Sequence, residues 1–328
     1  MDKTRISWTN ATWNPMRGCS RMSAGCEHCY AERMAARFSG PGQPYEGLTR
    51  LMRSTERGAR WTGEVRFVRE ALDQPLRWRK PRRIFVDSMS DLFHERVTDE
   101  QIAAIFGVMA AAPRHTFQVL TKRSERAARW HEWVADHVSP VVKCHNDAGG
   151  LLRRDIACAD VGAWPLPNVH ILASCEDQRA ADLRIPLLLQ CPAVVRGVSL
   201  EPLLGPIDLA YTCFNGADSF GSMPGIDWVI VGGESGPGAR PCDVAWIRSI
   251  VEQCRRAAVP CFVKQLGGQP MEGETVCDPH SDDRWPILGP KRGLFVTHSK
   301  PPYGDPRDWP ADLRVQEYPT PHPSEVAR

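Results

Sequence analysis

Short, nearly unbroken apolar runs recur along the chain, and each ends in polar residues. They are Ile84 to Ser88, Thr116 to Thr121, Val169 to Ser174, Ala193 to Ser199, Trp228 to Val231 and Pro260 to Lys264. Runs of this length, rich in β-branched residues and bounded by turn letters, predict strands. Between them the apolar period changes to that of a helix. Asp99 to Ala112 carries Ile102, Ile105, Phe106 and Met109 on one face, and Ser124 to His137, Gln178 to Gln190 and Val244 to Ala258 follow the same rule. A strand such as Trp228-Val229-Ile230-Val231 has no polar alternation, so both of its faces must be covered. Helices on both sides of a parallel sheet do this.

The polar residues choose between the two parallel architectures. They gather where the strands end: Asp87, Ser88 and Asp91; Thr121 and Lys122; Ser174, Glu176 and Asp177; Ser199 and Glu201; Gly232, Gly233 and Glu234; Lys264 and Gln265. In a barrel the ends of several strands converge on one mouth, whereas an open sheet concentrates its site at one switch point. The expectation is an α/β fold, a partial or complete (β/α) barrel of mostly parallel strands, over residues 1 to 277. Two stretches, near 139–167 and 211–226, break the alternation and read as loop insertions. From residue 278 to 328, ten of 51 residues are proline, which suits an extended wrap or a disordered tail better than a helix.

Composition narrows the class. With 42% hydrophobic and 24% charged residues, the chain has an ordinary globular balance. It has neither a secretory leader nor a run long enough to cross a membrane, so a cytoplasmic protein with no membrane partner is expected. Charge is uneven. The first 130 residues hold 23 Lys and Arg against 14 Asp and Glu, and the rest is acidic. The run Arg77-Trp78-Arg79-Lys80-Pro81-Arg82-Arg83, with Arg57, Arg60 and Trp61, suits phosphates, so DNA or RNA is a candidate partner; a solvated loop is the plainer reading. If the run lies beside the barrel mouth, a flipped base can reach the chemistry there.

Twelve cysteines are scattered, but Cys19, Cys26 and Cys29 stand together in a C-x6-C-x2-C loop with Gly18 and Gly25. Three thiolates can hold three irons of a [4Fe-4S] cluster and leave the fourth open. Structural zinc is the alternative, and it needs a fourth ligand such as His28, Cys144 or His145. Cys175, Cys191, Cys254 and Cys261 lie in apolar patterns and read as core.

The three-cysteine loop, Tyr30 immediately after it and the α/β barrel pattern resemble the radical S-adenosylmethionine superfamily, although the spacing departs from its commonest form. More closely, the chain resembles an uncharacterised phage-associated family of three-cysteine proteins. The residues that carry this are Trp13-Asn14-Pro15, Gly25 to Glu32, Pro81 to Val86, Ser88 to His94, Phe117 to Arg123, Glu201 to Gly205 and Val231 to Gly236. The resemblance implies Cys19, Cys26 and Cys29 as cluster ligands, S-adenosylmethionine on the open iron, a 5′-deoxyadenosyl radical and an external electron donor. It also sends the strand-end residues toward that cofactor: Ser88, Ser90, Asp91, Ser174, Glu201, Gly232, Gly233 and Glu234 as its cradle, and Lys122, Glu176 and Lys264 as catalytic groups. Ion pairing among the charged ones is the competing expectation. The competing function is a non-enzymatic nucleic-acid-binding protein stabilised by zinc or a cluster.

Overall fold

The computed structural model describes residues 4, 6–52, 58–153, 164–214, 225–271 and 305–319. Seven strands form one sheet: β1 (Ala11–Trp13), β2 (Arg83–Val86), β3 (Thr116–Thr121), β4 (Val169–Ser174), β5 (Val195–Leu200), β6 (Trp228–Gly232) and β7 (Cys261–Gln265). Their order in the sheet is their order in the chain, and the sheet is parallel and curled into a half-barrel flanked by helices. The order never reverses, so there is no switch point of the doubly wound kind. Every residue of β4 and β6 is buried, as their unbroken apolar runs require. β1 is only three residues long, too short for a hydrophobic pattern to show in the sequence.

The longer helices among the described residues are α1 (Tyr30–Ala36), α2 (Asp99–Ala110), α3 (Ser124–Ala135), α4 (Pro140–Leu152), α5 (Gln178–Gln190) and α6 (Val244–Ala257). α2 begins with a capping box, in which Thr98 Oγ1 accepts from the Gln101 N–H and Gln101 answers to the Thr98 N–H. α4 corrects the expectation of a loop insertion over 139–167. Ser139 caps it, Pro140 opens it, and Val141, Cys144 and Ala148 form a buried face. That face packs on α2 at Gly107, where an added Cβ would lie 2.1 Å from the Cys144 carbonyl oxygen. Residues 154–163, 215–224, 272–304 and 320–328, which hold the rest of that insertion, much of the one near 211–226 and most of the proline-rich extension, lie outside the described residues, as does Arg57.

The chain divides into two compact units. The first comprises Met1–Ala173, Leu187–Arg196 and Thr320–Arg328, and the second Ser174–Pro186 and Gly197–Pro319. In the first, Trp13 is buried and its indole N–H donates to Ala71 O at 2.7 Å. In the second, residues 305–319 make two 3-10 turns, Pro306–Asp308 and Ala311–Leu313, and then run beside β7. Val263 N–H donates to Val315 O and Glu317 N–H to Cys261 O, both at 2.8 Å, and Tyr318 packs on Trp228 and Phe262. This covers the open edge of β7.

Candidate functional site

The three clustered cysteines lie in the first unit, on the loop between β1 and α1. Gly18 opens that loop at φ +91°, and a Cβ there would come within 2.2 Å of Glu64 O, so only glycine fits. The loop is fastened to the carboxyl end of β2. Ser90 Oγ donates to Gly18 O at 2.6 Å, and Tyr30 Oη donates to Ser88 O at 2.8 Å. Asn14 Oδ1 accepts from Ser88 Oγ at 3.1 Å and from Met89 N–H at 3.0 Å. Behind the loop, Ala31, Ala35, Leu48 and Trp61 form an apolar cluster against which Cys19, Cys29 and Met89 pack. Glu32, 1% exposed, ties α1 to that cluster by accepting from Trp61 N–H at 2.6 Å and from Arg21.

Cys19, Cys26 and Cys29 are free thiols, each half-buried. Burial pushes the Cys19 thiol up to about 12; Asp91 adds to the rise, the Arg123 guanidinium opposes it, and the other two thiols raise it further. Burial likewise raises Cys29, with Cys26 adding to it. Thiols so placed become thiolates when metal charge compensates them. Among the described residues no three His, Cys, Asp or Glu side chains are placed to hold a metal ion, so the zinc ligand sets anticipated from the sequence are not assembled. Cys144 is instead buried in α4 against α2. Cys19, Cys26 and Cys29 form no such set either, so what speaks for a cluster is their thiol chemistry and their shared loop.

The strand-end residues named from the sequence have definite occupations. Asp91 is saturated: Oδ1 accepts from Thr121 Oγ1 at 2.7 Å and Phe93 N–H at 3.0 Å, and Oδ2 from Lys122 N–H at 3.2 Å and Arg123 Nη1 at 3.0 Å. Ser88 and Ser90 are the fastenings of the cysteine loop. Lys122, between Thr121 and Arg123, is half-buried. Asp87, named from the sequence among the strand-end groups but given no ligand role, is a different case. It is buried in left-handed backbone at φ +54°, its Oδ1 accepts from Met16 N–H at 2.9 Å, and its Oδ2 has no partner. Burial holds its pKa well above the usual carboxylate range. A lone Asp closing an apolar strand was the available signal.

In the second unit the charges pair with one another. Glu176 bonds Arg184 at 2.9 Å, and the same guanidinium donates to Ser174 O at 2.6 Å. Ser174 Oγ donates to Glu201 O at 3.5 Å. Lys264 Nζ bridges both oxygens of Glu201 at 2.7 and 2.6 Å, with Gln265 Nε2 on Oε1 at 2.6 Å. Glu234 accepts from the Arg240 guanidinium at 2.6 and 3.0 Å and from the Arg240 N–H at 2.8 Å. Gly232 and Gly233 leave room for the chain itself: a Cβ on Gly233 would meet Leu266 O at 2.6 Å, and one on Gly232 would meet Gln265 O at 3.0 Å.

The basic run is corrected in position. It precedes β2, whereas the cysteine loop is fastened to the residues that follow β2, so the two lie at opposite ends of that strand. Arg79 and Lys80 are exposed, Arg82 stacks on Trp78 at 4.7 Å, and Arg77 pairs with Asp73 at 3.0 Å. No helix among the described residues is long and apolar enough to cross a membrane.

A family model described as protein of unknown function (DUF5131) matches residues 3–297. No curated protein and no solved structure matches the chain.

Proposed function

The chain belongs to the DUF5131 family of unknown function, and since that membership brings no activity with it, we propose from the residues that the protein is an iron–sulfur enzyme of the radical S-adenosylmethionine type. Cys19, Cys26 and Cys29 are the ligands of its [4Fe-4S] cluster. The observation that carries this reading is the placing of three free thiols on one glycine-opened loop directly after the first strand of a parallel half-barrel. When bound, a cluster held by Cys19, Cys26 and Cys29 would supply one electron to the sulfonium of S-adenosylmethionine, whose S–C5′ bond would break to leave methionine and a 5′-deoxyadenosyl radical.

The chain's own residues have separable tasks. Ser90 and Tyr30 hold the cysteine loop against the end of β2, and Ala31, Ala35, Leu48 and Trp61 exclude water from behind Cys19 and Cys29. Asp87, and not the saturated Asp91, is the carboxyl left to accept a hydrogen bond from the methionyl ammonium of S-adenosylmethionine. A cation there would favour the charged form of a carboxyl that burial disfavours. The electron comes from a separate donor. Nucleic acid is the partner of the basic run, held by its phosphates at the amino end of β2, where contact does not deliver a base to the thiols.

The test is anaerobic reconstitution with iron and sulfide. The wild type should hold about four irons per chain, and Cys19→Ala, Cys26→Ala and Cys29→Ala should each lose the visible cluster absorption. Cys254→Ala should keep it, since that thiol is buried in the second unit against Cys261. With S-adenosylmethionine and a strong reductant the loaded protein should release 5′-deoxyadenosine and methionine. One zinc per chain with no capacity for iron overturns the reading in favour of a non-enzymatic binding protein.

A further inference from the structure

Arg123 lies just beyond β3, 6% exposed, and its guanidinium meets three groups of partners at once. Nη1 donates to Asp91 Oδ2 at 3.0 Å and to Cys19 Sγ at 3.8 Å. Nη2 donates to Ser20 O at 3.1 Å and Ser20 Oγ at 2.7 Å, and Nε donates to Glu95 Oε2 at 3.1 Å. His94 Nε2 stands 3.0 Å from Ser20 Oγ, so the residue after Cys19 is gripped from two sides.

A buried guanidinium needs a counter-charge, and Asp91 provides one. That pairing explains why the cation is tolerated. It does not explain why the remaining N–H groups are directed at Cys19 and Ser20 when the exposed Glu95 already takes one. The planar fork of arginine can span a carboxylate, a carbonyl and a sulfur together, which the point charge of lysine cannot do.

We propose that Arg123 is a positioning residue for the cluster: through an N–H···S bond to Cys19 and its grip on Ser20, it places one of the three ligands and raises the potential at which the cluster is reduced. The proposal rests on the reading of the three thiols as cluster ligands. Reduction adds negative charge to the cluster and its sulfurs, and a hydrogen bond and a positive charge beside one of them favour the reduced state.

The test compares the reconstituted wild type with Arg123→Lys, which keeps the charge opposite Asp91 and so preserves the fold. In wild-type protein carrying arginine labelled with 15N in the guanidinium, pulsed electron paramagnetic resonance of the reduced cluster should show coupling to 15N. Arg123→Lys should lose that coupling, retain iron and circular dichroism near the wild type, and be reduced only at a more negative potential. A wild-type cluster without 15N coupling overturns the proposal whatever the variant does. A folded, iron-loaded Arg123→Lys protein with an unchanged potential overturns it as well. A wild type that takes up no cluster is a different failure, since it removes the cluster reading itself and this inference with it.

Discussion

Asp87 carries two conformational burdens at a single position. Its backbone is left-handed, which Asp and Asn tolerate better than most residues, and its carboxyl is buried with one oxygen unpaired. Because burial raises its folded pKa above the unfolded value of about 3.9, the folded chain binds more protons than the unfolded one above that pH. Stability from this group is therefore present below about pH 4 and is lost as pH rises toward the folded pKa. Asp87→Asn keeps the shape, the left-handed backbone and the Met16 bond but cannot ionise. Urea unfolding of the metal-free variant should show it more stable than wild type at pH 7 by at least about 1 kcal/mol, the gain shrinking toward pH 4. Equal stability at both pH values would mean that the carboxyl finds a partner. The same residue shows the limit of reading letters one at a time. Asp91 looks the better ligand in the sequence, yet four donors already occupy it, and the neighbour four places earlier holds the open oxygen.

At the scale of elements, helix propensity and packing make opposite demands at Gly107. In an isolated helix Ala would be favoured over Gly by about 1 kcal/mol. In α2 the position faces α4 so closely that a Cβ would strike the Cys144 carbonyl, which is backbone and cannot turn aside. Gly107→Ala should therefore destabilise the protein by about 1–3 kcal/mol, read from the thermal or urea midpoint. A stabilised variant would show that the two helices can separate without loss. The pairing also explains why α4 escaped the sequence reading. Its Gly149, Gly150, His145 and Asn146 resemble loop composition, while the face that makes it a helix, Val141, Cys144 and Ala148, acquires meaning only against a partner with no side chain at Gly107.

At the scale of the whole molecule, the basic run before β2 offers a polyanion only some of its charges. Arg77 is exposed but paired with Asp73 and Arg82 is stacked on Trp78, which leaves Arg79 and Lys80 as the exposed cations of that run outside those two contacts. If nucleic acid binds there, Arg79→Ala with Lys80→Ala should weaken binding and flatten the log–log salt slope by about 2. Binding that ignores the double change would return the run to a solvated loop. The parallel α/β architecture was legible in the residues alone, because burying both faces of a strand demands unbroken apolar letters and that demand is local. So was the place where three thiols stand together, since eleven residues of loop cannot separate them far. Tertiary structure alone decided which strand-end groups pair with one another: Glu201 with Lys264, Glu234 with Arg240, Glu176 with Arg184 and Asp91 with Arg123. It decided as well that Asp87 has an oxygen to offer and that the basic run and the thiols lie at opposite ends of β2. Such pairings depend on strand register and on how far each crossover carries the chain, and neither distance is written in the local pattern of residues.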